Sequence, residues 1–364
     1  MEALTKVYRD QPKTVLFTAA AAIRILAALL FPALPDLLTL RAELSTPVNS
    51  FKRSETVQYR KVYSSMSEDS THTMAAYSTS HACQAQATTA AFAVALAGHT
   101  SLHPVMLLPP IGLLCYDRVC VQSAEKGQTS ETDGAIADST KTNVAVDLRS
   151  QPQPLQFGLR FVATFICAEA FLFGFSRLIL PSWRFIPSIY MTLLELPDLT
   201  PNAGLWWYFF IEMFDAFRSF FLGVFWLHML SYSVPFCLRF QRQPLAAVVL
   251  MMGIIAVFEP YANAGDAGAW LSCLCLLGHL FELTSLHRYT FPAIATLLYS
   301  TLLGPAFHHL WIYAGSGNAN FFYAITLVWS LALLILLTDT VYAALRDEWE
   351  AERPEGKGKE IRQM

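Results

Sequence analysis

Long apolar runs alternate with short polar stretches along this chain. The runs cover 15–31, 87–114, 157–180, 205–238, 245–258, 268–286, 291–307 and 321–345. Most reach or approach the ~20 residues that a helix needs to cross a bilayer. They predict an all-α polytopic membrane protein with about eight transmembrane helices. Run 205–238 is long enough for a tilted span with an interfacial extension, and 181–202 reads as a re-entrant or surface segment. Two stretches break the rhythm. Residues 54–86 hold almost no aliphatic side chain, and 117–156 is rich in Ser, Thr and Asp. Both read as disordered loops. The chain divides into a first helix and amphipathic segment (1–53), a loop (54–86), a second helix (87–116), a loop (117–156), a multi-span core (157–346) and a charged tail (347–364).

Composition agrees with a membrane class. Hydrophobic residues make up 54% and charged residues 15%, against roughly 25% charged in soluble domains. The net charge of -3 gives no reason to expect a nucleic-acid partner. Seven cysteines are scattered without a CxxC pair, which implies neither a metal site nor a disulfide framework. Basic residues cluster at 6–13, 118–149, 239–242, 287–288 and in the tail. If the spans alternate, all of these fall on one side, and the positive-inside rule makes that side cytosolic. Segment 181–202 and the polar turn at 315–320 then share the opposite, lumenal side.

Catalysis needs a nucleophile, a base or a metal, and the sequence assembles none of them. His308 and His309 are adjacent, so on a helix they point ~100° apart and cannot share a metal. Cys83 lies in the structureless loop. Asp36 and Glu43 are scattered acids, and no phosphate-cradling glycine loop occurs. No catalytic residue, metal site or cofactor is assigned. Glu212 and Asp215 are three apart on one helix face, and Arg218 follows by three, so a local ion pair accounts for them. Charges inside a membrane are otherwise functional candidates.

The stretch 310–327, LWIYAGSGNANFFYAITL, sets a small polar island between greasy flanks. Asn318 or Asn320 can N-cap the run that follows. The glycines also let backbone approach a ligand closely. The run 205–225 carries Trp206, Trp207, Tyr208, Phe209, Phe210, Phe214, Phe217, Phe220 and Phe221 on all sides of a helix. A helix apolar all round is buried in protein or lipid. It reads either as a lipid-facing helix with an aromatic belt or as a wall for acyl chains or a neighbouring subunit.

Two stretches resemble the PIG-U family, subunits of the glycosylphosphatidylinositol (GPI) transamidase. They are PSWRFIPSIYMTLLELPDLTPNAGLWWYFFIEMF at 181–214 and HLWIYAGSGNANFFYAITL at 309–327. The resemblance runs through 157–347, returns at SLHPVMLLPPIGLL (101–114) and is weaker at RAELSTPVNSFKR (41–53). It implies a helical membrane fold similar to that of lipid-linked glycosyltransferases. It also implies a non-catalytic place in an endoplasmic-reticulum complex that cuts a C-terminal signal and joins the new C-terminus to the GPI ethanolamine. The implied partners are the other transamidase subunits, one of which carries the Cys/His chemistry, together with the GPI glycolipid and the membrane. The family's island asparagines match Asn318 and Asn320, which with Ser316 are the ligand-binding candidates. Asp198, Asn202, Trp207 and Phe210 are the candidate lipid or partner contacts. The alternative is a lumenal mannosyltransferase of GPI precursor assembly that uses a lipid-phosphate sugar donor.

The chain departs from the family between 53 and 91, where about four of the family's dozen or so spans are missing. Losing an even number leaves the later topology unchanged. Codons for 59–81, read two bases out of register, can encode a segment similar to the family's first lumenal loop with its SPY-G-VFH pattern. The expectation is a shifted reading frame over 54–86. A mature transcript that encodes these residues in frame would overturn it.

The charge pattern makes a topological prediction. Glycosylation acceptors inserted after Gly317 should be modified, and acceptors inserted after Gln241 should not. The opposite pattern of gel shifts overturns the arrangement.

Overall fold

The computed structural model describes residues 78–131, apart from 80, 83 and 85, and 153–356, apart from 181 and 286. All of them belong to one of two compact units, Val62–Met364. The expected span at 15–31, the amphipathic segment, most of the loop 54–86 and the middle of the loop 117–156 lie outside the described residues. Every regular element among the described residues is helical.

The first helices are α1 (Ala87–Thr100), α2 (Leu108–Glu131), α3 (Pro154–Ile179) and the short α4 (Thr192–Glu195). The aromatic region gives α5 (Trp206–Glu212), α6 (Asp215–Ser231) and α7 (Ser233–Arg239). Then come α8 (Pro244–Phe258), α9 (Ala264–Leu274), α10 (Phe281–Ser285), α11 (Thr290–Ile312) and α12 (Ala319–Glu352). Six helical stretches among the described residues are long and apolar enough to cross a membrane: His103–Ser123, Pro154–Ile179, Asp215–Arg239, Ala264–Ser285, Thr290–Ile312 and Ala319–Glu352. The chain is a multi-pass membrane protein.

The centre of the bundle is α8. Its sequence, PLAAVVLMMGIIAVF, has no polar face, and thirteen of its 15 residues are buried. A helix apolar all round fits where other helices cover it on every side. It packs on α2, α7, α9 and α12. Gly253 permits the closest of these approaches. A Cβ there would lie 2.7 Å from Leu337 Cδ1 on α12 and 2.7 Å from Trp270 Cε2 on α9. The outer helices have the opposite character. On α3 only Phe161 and Ala168 are buried, and Leu155, Leu159, Ile166, Phe171 and Leu178 stand exposed. Glu169 of α3 turns inward to the end of α1, where its Oε2 lies 3.7 Å from His99 Nδ1. The His99 Nε2 atom is 2.9 Å from Ser176 Oγ.

Spans 87–114 and 205–238 differ from the hydrophobic pattern. Run 87–114 is not one helix. Ser101 is extended (φ -153°, ψ 146°) after α1, and a 3₁₀ turn with Pro104 near its start leads into α2. This second helix then continues past Tyr116, where the pattern suggests a loop, to Glu131. Run 205–238 is not one tilted span either. Met213 (ψ 143°) and Phe214 (ψ 135°) are extended between α5 and α6. Asp215 in the first turn of α6 places a carboxylate at the positive end of the new helix. The break removes the shared helix face of Glu212 and Asp215. Arg218 donates to the Leu196 carbonyl in place of the expected ion pair with Asp215. Leu196 is buried and left-handed (φ 46°, ψ 55°), a conformation that costs roughly 1–2 kcal/mol for a residue with a Cβ.

The basic turns at 239–242 and 287–288 meet the C-terminal half of α12. At about 1.5 Å per residue, the 34 residues of α12 outreach a ~30 Å hydrocarbon core. Their last turns meet the turn after α7. Arg239 pairs with Glu348 and Arg242 with Glu352. The Gln243 amide donates to Asp347 at 2.7 Å. At the next turn His287 Nδ1 lies 2.6 Å from Asp339 Oδ1, and Thr290 donates to the same carboxylate at 2.7 Å. The other end of the bundle holds segment 187–212, the turn after α8 and the turn between α11 and α12.

Candidate functional site

The polar island closes one helix and starts the next. The Tyr313 and Ala314 amides donate to the His309 carbonyl at 2.9 and 3.0 Å, and the Ser316 and Gly317 amides to the Leu310 carbonyl at 3.0 and 3.1 Å. Gly315 supplies the left-handed residue of this reversal (φ 63°), a conformation that glycine adopts without steric cost. Asn318 is extended (φ -140°, ψ 169°), and its Oδ1 accepts from the Phe321 amide at 3.2 Å. It is the N-cap of α12.

Asn320 has a tertiary partner. The Tyr208 hydroxyl on α5 donates to its Oδ1, and the Tyr208 ring stacks on Tyr323 with centroids 4.5 Å apart. The Tyr323 hydroxyl in turn donates to the Leu205 carbonyl at 3.1 Å. Desolvation, and after it the charge of Glu212, pushes the Tyr208 phenol up from its ordinary pKa. With both amide oxygens engaged, Asn318 and Asn320 present their Nδ2 groups as exposed donors beside exposed Ser316.

The PDLTPN segment is braced by its own polar side chains. Asp198 Oδ1 accepts from the Thr200 amide at 3.1 Å. Asn202 Oδ1 accepts from the Gly204 amide at 2.7 Å, and its Nδ2 donates to the Thr200 carbonyl at 3.2 Å. The Tyr261 hydroxyl donates to the Asp198 carbonyl at 3.2 Å. Asp198 and Asn202 thus shape the loop that leads into α5.

Trp207 and Phe210, the candidate lipid or partner contacts on α5, are covered by the chain itself: Trp207 is 1% exposed and Phe210 3%. Trp207 stacks on Trp311 at 6.1 Å and packs on Phe322 at 5.9 Å. Phe210 lies edge-on to Phe225 at 5.5 Å. The large side chains that face outward in this region are Ile211, Phe214, Phe217 and Phe220. The sequence does not reveal the link from Tyr208 to Asn320, because the two residues lie 112 positions apart and no local spacing joins them. His308 is held among Trp311, Tyr313 and Phe322, and His309 stacks on Tyr313. Among the described residues no group of three or more His, Cys, Asp or Glu side chains is placed to hold a metal.

The class is therefore an all-helical, multi-pass membrane protein with an amide-bearing turn between its last two spans, locked to an aromatic segment. A family model described as GPI transamidase subunit PIG-U matches residues 62–329. The match takes in 62–86, which the sequence reading assigned to a shifted frame. The chain is 42% identical over 186 residues to the GPI transamidase component GAB1 of Saccharomyces cerevisiae, covering 51% of this chain and 46% of that protein. It is 36% identical over 193 residues to the human GPI-anchor transamidase component PIGU, covering 53% and 44%. It is 35% identical over 200 residues to the GAB1 homolog of Schizosaccharomyces pombe, covering 53% and 48%. The chain belongs to the PIG-U family. It spans about half the length of the curated relatives it matches.

The lock between α5 and α12 can be tested by removing single hydroxyls. Tyr323→Phe keeps the ring stack and loses the bond to Leu205, which should cost about 1 kcal/mol. Tyr208→Phe should also lower the melting temperature in detergent by freeing Asn320. Unchanged melting of both variants would show that the two hydroxyls contribute nothing to the lock.

Proposed function

We propose that this chain acts as a non-catalytic subunit of the GPI transamidase, in the endoplasmic-reticulum membrane, and that its polar island helps to hold the GPI lipid. The observation that carries the reading is the pair of exposed amides at Asn318 and Asn320, held beside α5 by Tyr208. A GPI headgroup presents sugar hydroxyls and phosphates at a membrane surface. Amide N–H groups serve the oxygens of both. The start of α12 adds the partial positive charge of a helix N-terminus, which favours a phosphate. The relatives named as transamidase components support a place in that complex rather than a sugar transfer reaction. Catalysis is assigned to another subunit.

Replacing both Asn318 and Asn320 by Leu, here and at the matching positions of a full-length relative, should lower GPI attachment. Loss of a hydrogen bond to a charged group costs roughly 1.5–3 kcal/mol, so display should fall about tenfold or more. Asn318→Asp separates binding from capping. Aspartate caps a helix as well as asparagine, but it turns a donor into a carboxylate that repels phosphate. Surface display of a GPI-anchored reporter should fall with both variants while partner subunits still co-purify. Normal display with Asn318→Asp would reduce Asn318 to a helix cap, and lost assembly would make the island structural.

A further inference from the structure

An open cavity of about 510 Å³ lies between α4 and α6, lined by Leu194, Glu195, Asp215, Arg218, Ser219, Leu222, Gly223 and Trp226. Its volume is in the ~300–1,000 Å³ range of small-ligand sites. Six of these residues recur at three- and four-residue steps from Asp215 to Trp226, which is one face of α6. At about 1.5 Å per residue the face descends roughly 16 Å into the membrane. Its chemistry changes with depth. Asp215 stands at the top with Glu195 opposite, Arg218 and Ser219 come next, and Leu222, Gly223 and Trp226 line the floor.

Trp226 forms part of the floor, and its ring is stacked on His103 at 5.0 Å, which fixes the indole. Gly223 leaves open space, since a Cβ there would meet no atom within 4 Å.

We infer that this cavity binds a glycerophospholipid with a zwitterionic phosphoammonium head group. The ammonium sits between Glu195 and Asp215. The phosphate meets the Arg218 guanidinium, which spends one Nη2 bond on the Leu196 carbonyl and retains other donors, together with the Ser219 hydroxyl. The acyl chains leave along the exposed Phe220 and Leu227, which flank Gly223 on α6. Two carboxylates against one guanidinium favour a cationic head over an anionic one. This site is separate from the polar island, and the inference does not rest on the GPI reading.

The test uses the full chain purified in detergent and exchanged into mixed micelles of phosphatidylethanolamine, phosphatidylcholine and phosphatidylglycerol. Bound lipid is counted by native mass spectrometry. Wild type should retain phosphatidylethanolamine or phosphatidylcholine over phosphatidylglycerol by about tenfold. Gly223→Leu, which fills the floor and favours a helix, should abolish retention with helicity and elution volume unchanged. Arg218→Gln should reduce it about tenfold, the scale of one charged hydrogen bond. Glu195→Gln with Asp215→Asn should erase the preference for an ammonium head. Undiminished lipid on Gly223→Leu, a preference for phosphatidylglycerol, or a retained lipid that carries a glycan overturns the inference. None of these results touches Asn318 or Asn320.

Discussion

In a bilayer a backbone carbonyl that loses its helical partner finds no water to replace it. This protein breaks its helices repeatedly, and several of the breaks among the described residues are tied to a distant side chain. Trp206 Nε1 donates to the Phe258 carbonyl at 2.7 Å. The Tyr190 hydroxyl donates to the His99 carbonyl at 3.0 Å, and the buried Ser233 hydroxyl to the Met106 carbonyl at 2.9 Å. Arg218 reaches Leu196, Tyr261 reaches Asp198 and Tyr323 reaches Leu205. The donors are mostly aromatic residues with one polar atom. Such side chains bury a large apolar body and still satisfy one backbone group.

These ties explain how an irregular end can sit on a regular bundle. The helix α8 supplies the regular part, since it is covered on all sides and admits Trp270 and Leu337 at Gly253. The long α12 joins the two ends. Its first turn carries the asparagines, and its last turns carry the acids that meet Arg239 and Arg242. A change at either end of α12 therefore acts on a helix whose middle is fixed in the core.

The amide-bearing turn has two properties that a lipid headgroup site needs. It is rigid, because six backbone positions reverse direction under four amide-to-carbonyl bonds and one asparagine cap. It is also exposed, with Ser316, Asn318 and Asn320 all on the surface. Rigidity lowers the ordering cost of binding. The turn's exposed amides are the donors that the proposed GPI headgroup would meet.

The sequence by itself determined that the chain is helical and built of apolar runs, that the basic turns at 239–242 and 287–288 belong together, and which family the chain resembles. Each of these is a local property. A run of apolar residues reports its own transfer free energy, and a motif reports its own residues. The reading of Asn318 as a cap was also legible, because a cap is decided within four residues. Tertiary structure alone decided that α5 and α6 are separate helices, that Trp207 and Phe210 face inward while Phe214 and Phe217 face outward, and that Tyr208 holds Asn320. The physical reason is that lipid tails are as apolar as a protein interior. An aromatic residue on a membrane helix gains about as much from either, so its pattern in the sequence does not say which it meets.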